Sequence, residues 1–297
     1  MRSLLIIIFL LLAAAANAGM PSITVRNLVI DFSPFTLVAQ PGEELVIGMP
    51  DDFSVVADGN YAGRQTPGGW MLETPKNPGH YPITVSNPKG SKFQLQLFVT
   101  VPADEARNGW LEGYRIGHSP AGKKSRPELY RAPEGFIRVT EDMLDLQLSP
   151  HFRLRQLLCK QESDYPKYFA LKERLLFFLE GLLAEVQEQG FAAQSFGVIS
   201  GYRTPWYNKK IGNVPNSRHV YGDAMDLFVD VDGDGRLDDL NGDGSHNRKD
   251  VDLLAAIAEG YMSGPGNSII GGIGSYGKTS HHGGFVHVDT RGYPARW

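Results

Sequence analysis

The texture of the chain changes once, near residue 139, and this change restricts the fold more than any other feature. Before it come short β-prone runs: Ile23 and Val25, Thr36 to Val38, Leu45 to Ile47, and Phe53 to Val56. Pro41-Gly42, Asp58-Gly59 and Pro67-Gly68-Gly69 punctuate them as turns. Phe93, Leu95, Leu97, Val99 and Val101 alternate with their neighbours and share one strand face. After the change, Leu171, Leu175, Phe178, Leu179, Leu182 and Val186 recur at helical spacing on a single face, and Gly190 closes the run. A small all-β domain over 21–101 is expected, then a connector over 102–138, then an α+β domain over 139–297.

Pro78-Gly79-His80-Tyr81 ahead of Ile83-Thr84-Val85 resembles the turn-then-strand entry of an immunoglobulin-like sandwich. The Cys…Trp…Cys framework of antibody domains is missing. The connector is rich in Gly, Pro and charge and reads as a surface loop, with Tyr114, Tyr130 and Phe136 packing on a neighbour. Ser149-Pro150 is expected to begin a short helix and Pro166 a longer one. Cys159, between Leu158 and the next charged residues, reads as a buried apolar side chain rather than a nucleophile.

Composition narrows the function. The net charge is −4, so no basic excess is available for nucleic acid. A single cysteine excludes an intramolecular disulfide framework and a multi-cysteine zinc site, which leaves any metal to His, Asp or Glu. Arg2, the apolar run Leu4 to Leu12, four alanines and Ala16-Asn17-Ala18 read as a secretory signal over 1–18. An exported protein, periplasmic or secreted, with no membrane span after signal removal is expected. No oligomeric state follows from the sequence.

Two strand-type runs carry ligand-type side chains. In the first, Ala224, Asp226 and Phe228 share a face; in the second, Phe285, His287 and Asp289 do. His219 enters from the loop before the first. Two imidazoles and a carboxylate are the donor set of a catalytic zinc, with a fourth position left for water.

The string S-R-H-V-Y-G-D-A-M-D over 217–226 resembles the S-x-H-x-x-G-x-A-x-D signature of the zinc D-alanyl-D-alanine carboxypeptidase and murein endopeptidase family. S-G-Y-R-T-P over 200–205 resembles the family's S-x-Y-R element, and F-V-H-V-D over 285–289 its third-ligand strand. The C-terminal F-V-H-V-D-T-R-G-Y-P-A-R-W is similar to the small periplasmic murein endopeptidase branch. The resemblance covers about 140–297 and implies a small antiparallel sheet with helices to one side. It implies His219, Asp226 and His287 as zinc ligands, and Arg203 as the partner of a substrate carboxylate or of the oxyanion. It further implies Ser217 as a substrate contact, and Asp289 as a substrate-side residue or as an acceptor behind a ligand. One departure stands out. Positions where relatives hold a proton acceptor, three and two before the third ligand, are Gly284 and Phe285 here. His281 and His282 in the neighbouring Gly-rich loop are the substitutes to consider.

An acidic insertion over 230–250 separates the two strands. Asp230, Asp232, Asp234 and Asp238 fit one calcium-loop register, with Gly235 at the sixth position. Asp239, Asn241, Asp243, Ser245, Asn247 and Asp250 fit a second, which ends in a carboxylate and is the better match. Zn2+ and a structural Ca2+ are therefore the expected cofactors. The expected activity is hydrolysis of peptide bonds in peptidoglycan stem peptides or cross-links. The alternatives are a catalytically inactive cell-wall-binding or scaffold protein that keeps the fold, and a zinc peptidase with another substrate.

Overall fold

A computed structural model describes residues 22–56, 63–265 and 267–297 of the chain. The signal-peptide expectation for 1–18 lies outside the described residues. Among the described residues, nine strands form the N-terminal region: β1 (Ile23–Val25), β2 (Leu28–Ile30), β3 (Phe35–Ala39), β4 (Glu44–Gly48), β5 (Ser54–Val56), β6 (Gly63–Thr66), β7 (Gly69–Glu73), β8 (Gly79–Ser86) and β9 (Lys92–Val99). They build two sheets, of order β2-β1-β4-β7-β6 and β3-β9-β8-β5, in which β3 and β9 run parallel. The alternation along β9 is a burial pattern: Phe93, Leu95, Leu97 and Val99 face the core and Gln94 faces out.

The segment over 102–138 is more than a surface loop. It follows β10 (Val101–Pro102) with a small hairpin, β11 (Trp110–Leu111) and β12 (Tyr114–Arg115), and then β13 (Gly135–Val139). β13 lies between β10 and β14 (Lys167–Phe169) in a three-stranded sheet, because Phe136, Ile137 and Val139 are apolar enough to be buried there. That pairing overturns the helix expected from Pro166: Tyr168 and Phe169 are drawn into the sheet and fully buried. The helix carrying the apolar stripe, α2 (Glu173–Glu188), starts later. Nor does Ser149-Pro150 open a helix. Ser149 and Phe152 close a tight turn, and only the single turn α1 (Leu154–Leu157) follows. Cys159 sits just beyond α1 and is buried.

The second half is a mixed α+β unit. Its sheet has the order β15-β16-β18-β17-β19, with β15 (Phe196–Ser200), β16 (Ala224–Val229), β17 (Gly272–Tyr276), β18 (Phe285–Asp289) and β19 (Ala295–Arg296). All pairs are antiparallel except β17 with β19. After the short α3 (Pro205–Lys210), helix α4 (Arg248–Ser263) packs along β16, β17 and β18, and α2 packs on α4. Val286 and Val288 enter the core shared with Val251, Leu254 and Ala258 of α4. The intervening positions of β18, Phe285, His287 and Asp289, point the opposite way.

The two halves meet through α2. Glu173 at its start accepts from the Val38 backbone N–H at 2.9 Å and pairs with Arg26 at 2.5 Å. Thr36 donates to the Leu148 carbonyl at 2.8 Å in a fully buried contact. Among the described residues no helix is long and apolar enough to cross a membrane.

Candidate metal centre and active-site cleft

Two adjacent strands and one short turn build the centre. In the β16–β18 ladder Asp226 stands directly opposite His287, so the strand register alone brings carboxylate and imidazole together. His219 comes from the 3-10 turn Arg218–Tyr221, which ends at Gly222 with φ +72°. A Cβ at Gly222 would lie 2.5 Å from the Ala170 carbonyl, so the turn needs glycine for conformation and for space. Ser200 pairs with Asp226 from the other side, beside a break in the β15 register.

His219 Nε2 lies 3.0 Å from Asp226 Oδ1, His287 Nδ1 lies 2.8 Å from the same oxygen, and the two ring nitrogens are 3.2 Å apart. Tetrahedral ligands on zinc, with bonds of about 2.0–2.1 Å, are separated by roughly 3.3 Å. The three donors thus already stand near the corners of one face of such a tetrahedron. All three residues are buried. Each far atom is held: His219 Nδ1 by the Gly201 carbonyl at 2.6 Å, His287 Nε2 by Asp289 at 3.0 Å, and Asp226 Oδ2 by Arg203 at 2.5 Å. These partners fix ring orientation and leave one donor atom per residue for a cation.

The electrostatics agree with a cation site. Burial penalises the charged ring of His219 and lowers its pKa. Burial also acts against a charged His287, but hydrogen bonds to Asp226 and Asp289 outweigh it and raise that ring to about 9. Burial opposes the Asp226 carboxylate too, yet the two imidazoles hold it well below the usual carboxylate range. A cation would take the place of the proton that Asp226 and Asp289 otherwise favour on His287, since a metal binds deprotonated donors.

The centre opens on a cleft of about 830 Å³. Arg203, Ser217, His281 and His282 line it, with Lys160, Tyr276, Phe285 and Trp297. Arg203 also donates from Nε to Ser200 at 2.8 Å, while its Nη1 makes no hydrogen bond among the described residues. Ser217 precedes the His219 turn and does not spend its hydroxyl on capping it. His281 is exposed and His282 half-buried in the cleft wall; the His282 ring meets Phe285 edge-on at 5.0 Å.

Asp289 does not contact substrate space, which corrects the expectation of a substrate-side role. It is fully buried behind His287 and accepts from Gly272 N at 3.1 Å and from Arg291 Nε at 2.8 Å. Asp223 is equally remote as a proton acceptor, being buried and paired with Arg218, Lys172 and Arg174. The missing base has a packing reason. A Cβ at Gly284 would stand 2.6 Å from Val251 Cγ2 and 3.1 Å from Leu237 Cδ2, and Phe285 is stacked on Tyr276.

The acidic insertion is organised differently from its better sequence match. Asp230, Asp232 and Asp238 of the first register converge, each offering an oxygen within 4.8 Å of the others; Asp234 instead accepts from Arg236 N at 2.8 Å. The three carboxylates of the second register, Asp239, Asp243 and Asp250, do not form such a group. Asp250 is buried and caps α4, accepting from Leu240 N at 2.9 Å and Asn247 N at 2.7 Å. Asp239 accepts from Asp243 N and Gly244 N, Asn241 accepts from Asp243 N, and Asp243 pairs with Lys249. Asp243 also accepts from Ser245 N at 3.1 Å, and Asn247 caps Lys249 N at 2.8 Å.

Sequence reasoning passed over Lys160, Arg291 and Trp297. Lys160 donates to the Val198 carbonyl at the β15 edge, and no local pattern signals that contact. Residues 151–240 match the sequence model of the Peptidase M15 family. The match contains Arg203, Ser217, His219 and Asp226, and His287 lies beyond it. It supports a zinc-dependent peptidase of the D-Ala-D-Ala carboxypeptidase type. No curated protein matches the chain.

Proposed function

We propose that this chain is an exported zinc peptidase that hydrolyses peptide bonds in peptidoglycan stem peptides or cross-links. The observation that carries the reading is the convergence of His219, Asp226 and His287 at zinc-ligand spacing on the floor of a large cleft. Bound zinc would polarise the scissile carbonyl and acidify the attacking water. The chain's own residues supply the rest. Arg203 braces Asp226 through Nη2 and offers Nη1 to the oxyanion or to a substrate carboxylate. Ser217 presents its hydroxyl to the substrate backbone. His282, whose ring meets Phe285 in the cleft wall, would protonate the leaving amine, with His281 beside it. In the same reading calcium is a structural ion of the insertion, held by Asp230, Asp232 and Asp238. The N-terminal sheets serve as an immunoglobulin-like spacer or wall-binding unit.

Gly284 and Phe285 favour a second reading, a catalytically silent wall-binding protein, because neither position offers a proton acceptor. Purified muropeptides incubated with the protein, with a chelator, and with zinc restored separate the two. Chelator-sensitive release of cleaved peptides supports the peptidase. Binding to intact wall without turnover under every metal condition supports the silent protein.

A further inference from the structure

The third ligand has a neighbour that the family pattern does not assign. β19 lies parallel to β17, with Ala295 opposite Gly272 and Arg296 opposite Ile273. This docking places Trp297 over Gly274, the β17 residue paired with His287. A Cβ at Gly274 would lie 2.5 Å from the indole, so the absent side chain is the space that the indole fills. The indole N–H donates to the Tyr276 hydroxyl at 2.5 Å, and the ring lies 5.2 Å from the His287 ring at 47°. The Arg291 guanidinium sits 5.0 Å over the same indole and also binds Asp289, the acceptor for His287 Nε2.

His287 is thus met from two directions by groups that share one partner. Asp289 binds the ring through Nε2, Trp297 lies tilted against it, and Arg291 links the two. We propose that Trp297 is a positioning residue for the metal centre: it fixes the His287 ring plane so that Nδ1 stays aimed at Asp226 and His219. The inference rests on the reading of His287 as a zinc ligand. Partners one shell out from a metal typically contribute 10–100-fold to affinity. An indole half-exposed to the cleft can act this way only if it restrains the ring behind it.

The test is zinc affinity, measured by competition with a chromogenic chelator, on the full chain and on Trp297→Ala, Trp297→Phe and Gly274→Ala. Visible spectra of the cobalt-substituted proteins are recorded in parallel. Trp297→Ala is expected to weaken zinc about tenfold or more and to alter the cobalt spectrum. Gly274→Ala, which displaces the indole while leaving it present, should do the same, and Trp297→Phe should restore most of the affinity. Tyr276→Phe, which removes only the hydrogen bond to the indole, serves where the alanine variant fails to fold and should weaken zinc in the same direction. Zinc affinity and cobalt spectra equal to wild type in these variants, with only KM raised, would overturn the proposal and leave Trp297 as a cleft wall. A wild-type protein that binds no zinc is a different result: it removes the ligand reading itself and the inference with it.

Discussion

Among the described residues two clusters of metal-type side chains lie only a few residues apart, and they are built on opposite principles. His219, Asp226 and His287 are buried in a sheet, and each is oriented by a group outside the set: the Gly201 carbonyl, Arg203 and Asp289. Asp230, Asp232 and Asp238 sit on a half-exposed loop and bond mostly to that loop's own backbone, as Gly233 N and Gly235 N do to Asp230. Their mutual repulsion shows at Asp238, whose pKa is raised by burial and then by Asp232 and Asp230. The difference is one of preorganisation. The first set is fixed by strand register and packing, so a cation finds its donors aligned. The second set is held by hydrogen bonds from the N–H groups of its own loop.

This contrast can be broken at its strongest point first. Asp226→Ala removes the ligand shared by both imidazoles and leaves Arg203 without its carboxylate. Peptide hydrolysis should fall to the level of chelated wild type, whereas the triple change Asp230→Asn, Asp232→Asn and Asp238→Asn should leave turnover near wild type. Comparable losses in both variants would erase the distinction.

The buried surroundings of the centre give the next largest effect. Arg218 and Asp223 are both buried, with the Arg218 guanidinium against the rings of both Tyr130 and Tyr221. Asp223→Ala strands that cation and should cost about 3–5 kcal/mol in denaturant unfolding. Burial opposes the Asp223 carboxylate, but Lys172 and Arg218 lower its pKa below the ordinary value. Its contribution is therefore complete above pH ~4 and declines as pH falls through the lowered folded value. Acid unfolding of wild type should show this loss, and Asp223→Ala should show less of it.

Arg203→Lys keeps the charge but loses the fork that spans Ser200 and Asp226. Turnover should drop by about ten- to a thousandfold with zinc retained, as for loss of one oxyanion donor. Unchanged kinetics would reduce Arg203 to a brace for Asp226. The smallest effect belongs to the insertion. If calcium binds there, unfolding free energy should rise by about 2.7 kcal/mol at a hundredfold excess over Kd. The rise should vanish in the triple Asn variant and persist in Asp239→Asn. A melting temperature indifferent to millimolar calcium would make the loop a self-bonded turn.

Much of the centre was legible because its chemistry lies in short strings whose backbone is simple. Asp226 and His287 each sit mid-strand, and alternation gives their faces without knowledge of the fold. What was not legible depended on distant partners. Lys167–Phe169 became strand rather than helix because β13 offers an edge to which Tyr168 and Phe169 pair. Asp250 looked like the closing ligand of a calcium loop, but the backbone N–H groups of Leu240 and Asn241 in the loop and of Asn247 at the start of α4 claim it. Asp289 and Trp297 take their roles from β17 and β19, which meet them only after the sheet has formed. The bare backbone at Gly284 could be read from the sequence, but the Val251 and Leu237 contacts that keep a side chain out could not.

The most direct test of the account is the metal content of the purified full chain beside His287→Ala, determined by mass spectrometry after dialysis against zinc-free buffer. One zinc per wild-type chain and none in His287→Ala is the predicted result, because the two remaining donors, His219 and Asp226, leave the site half-open. A wild-type chain without stoichiometric zinc, or a His287→Ala variant that retains it, would contradict the assignment of His219, Asp226 and His287 as the metal centre.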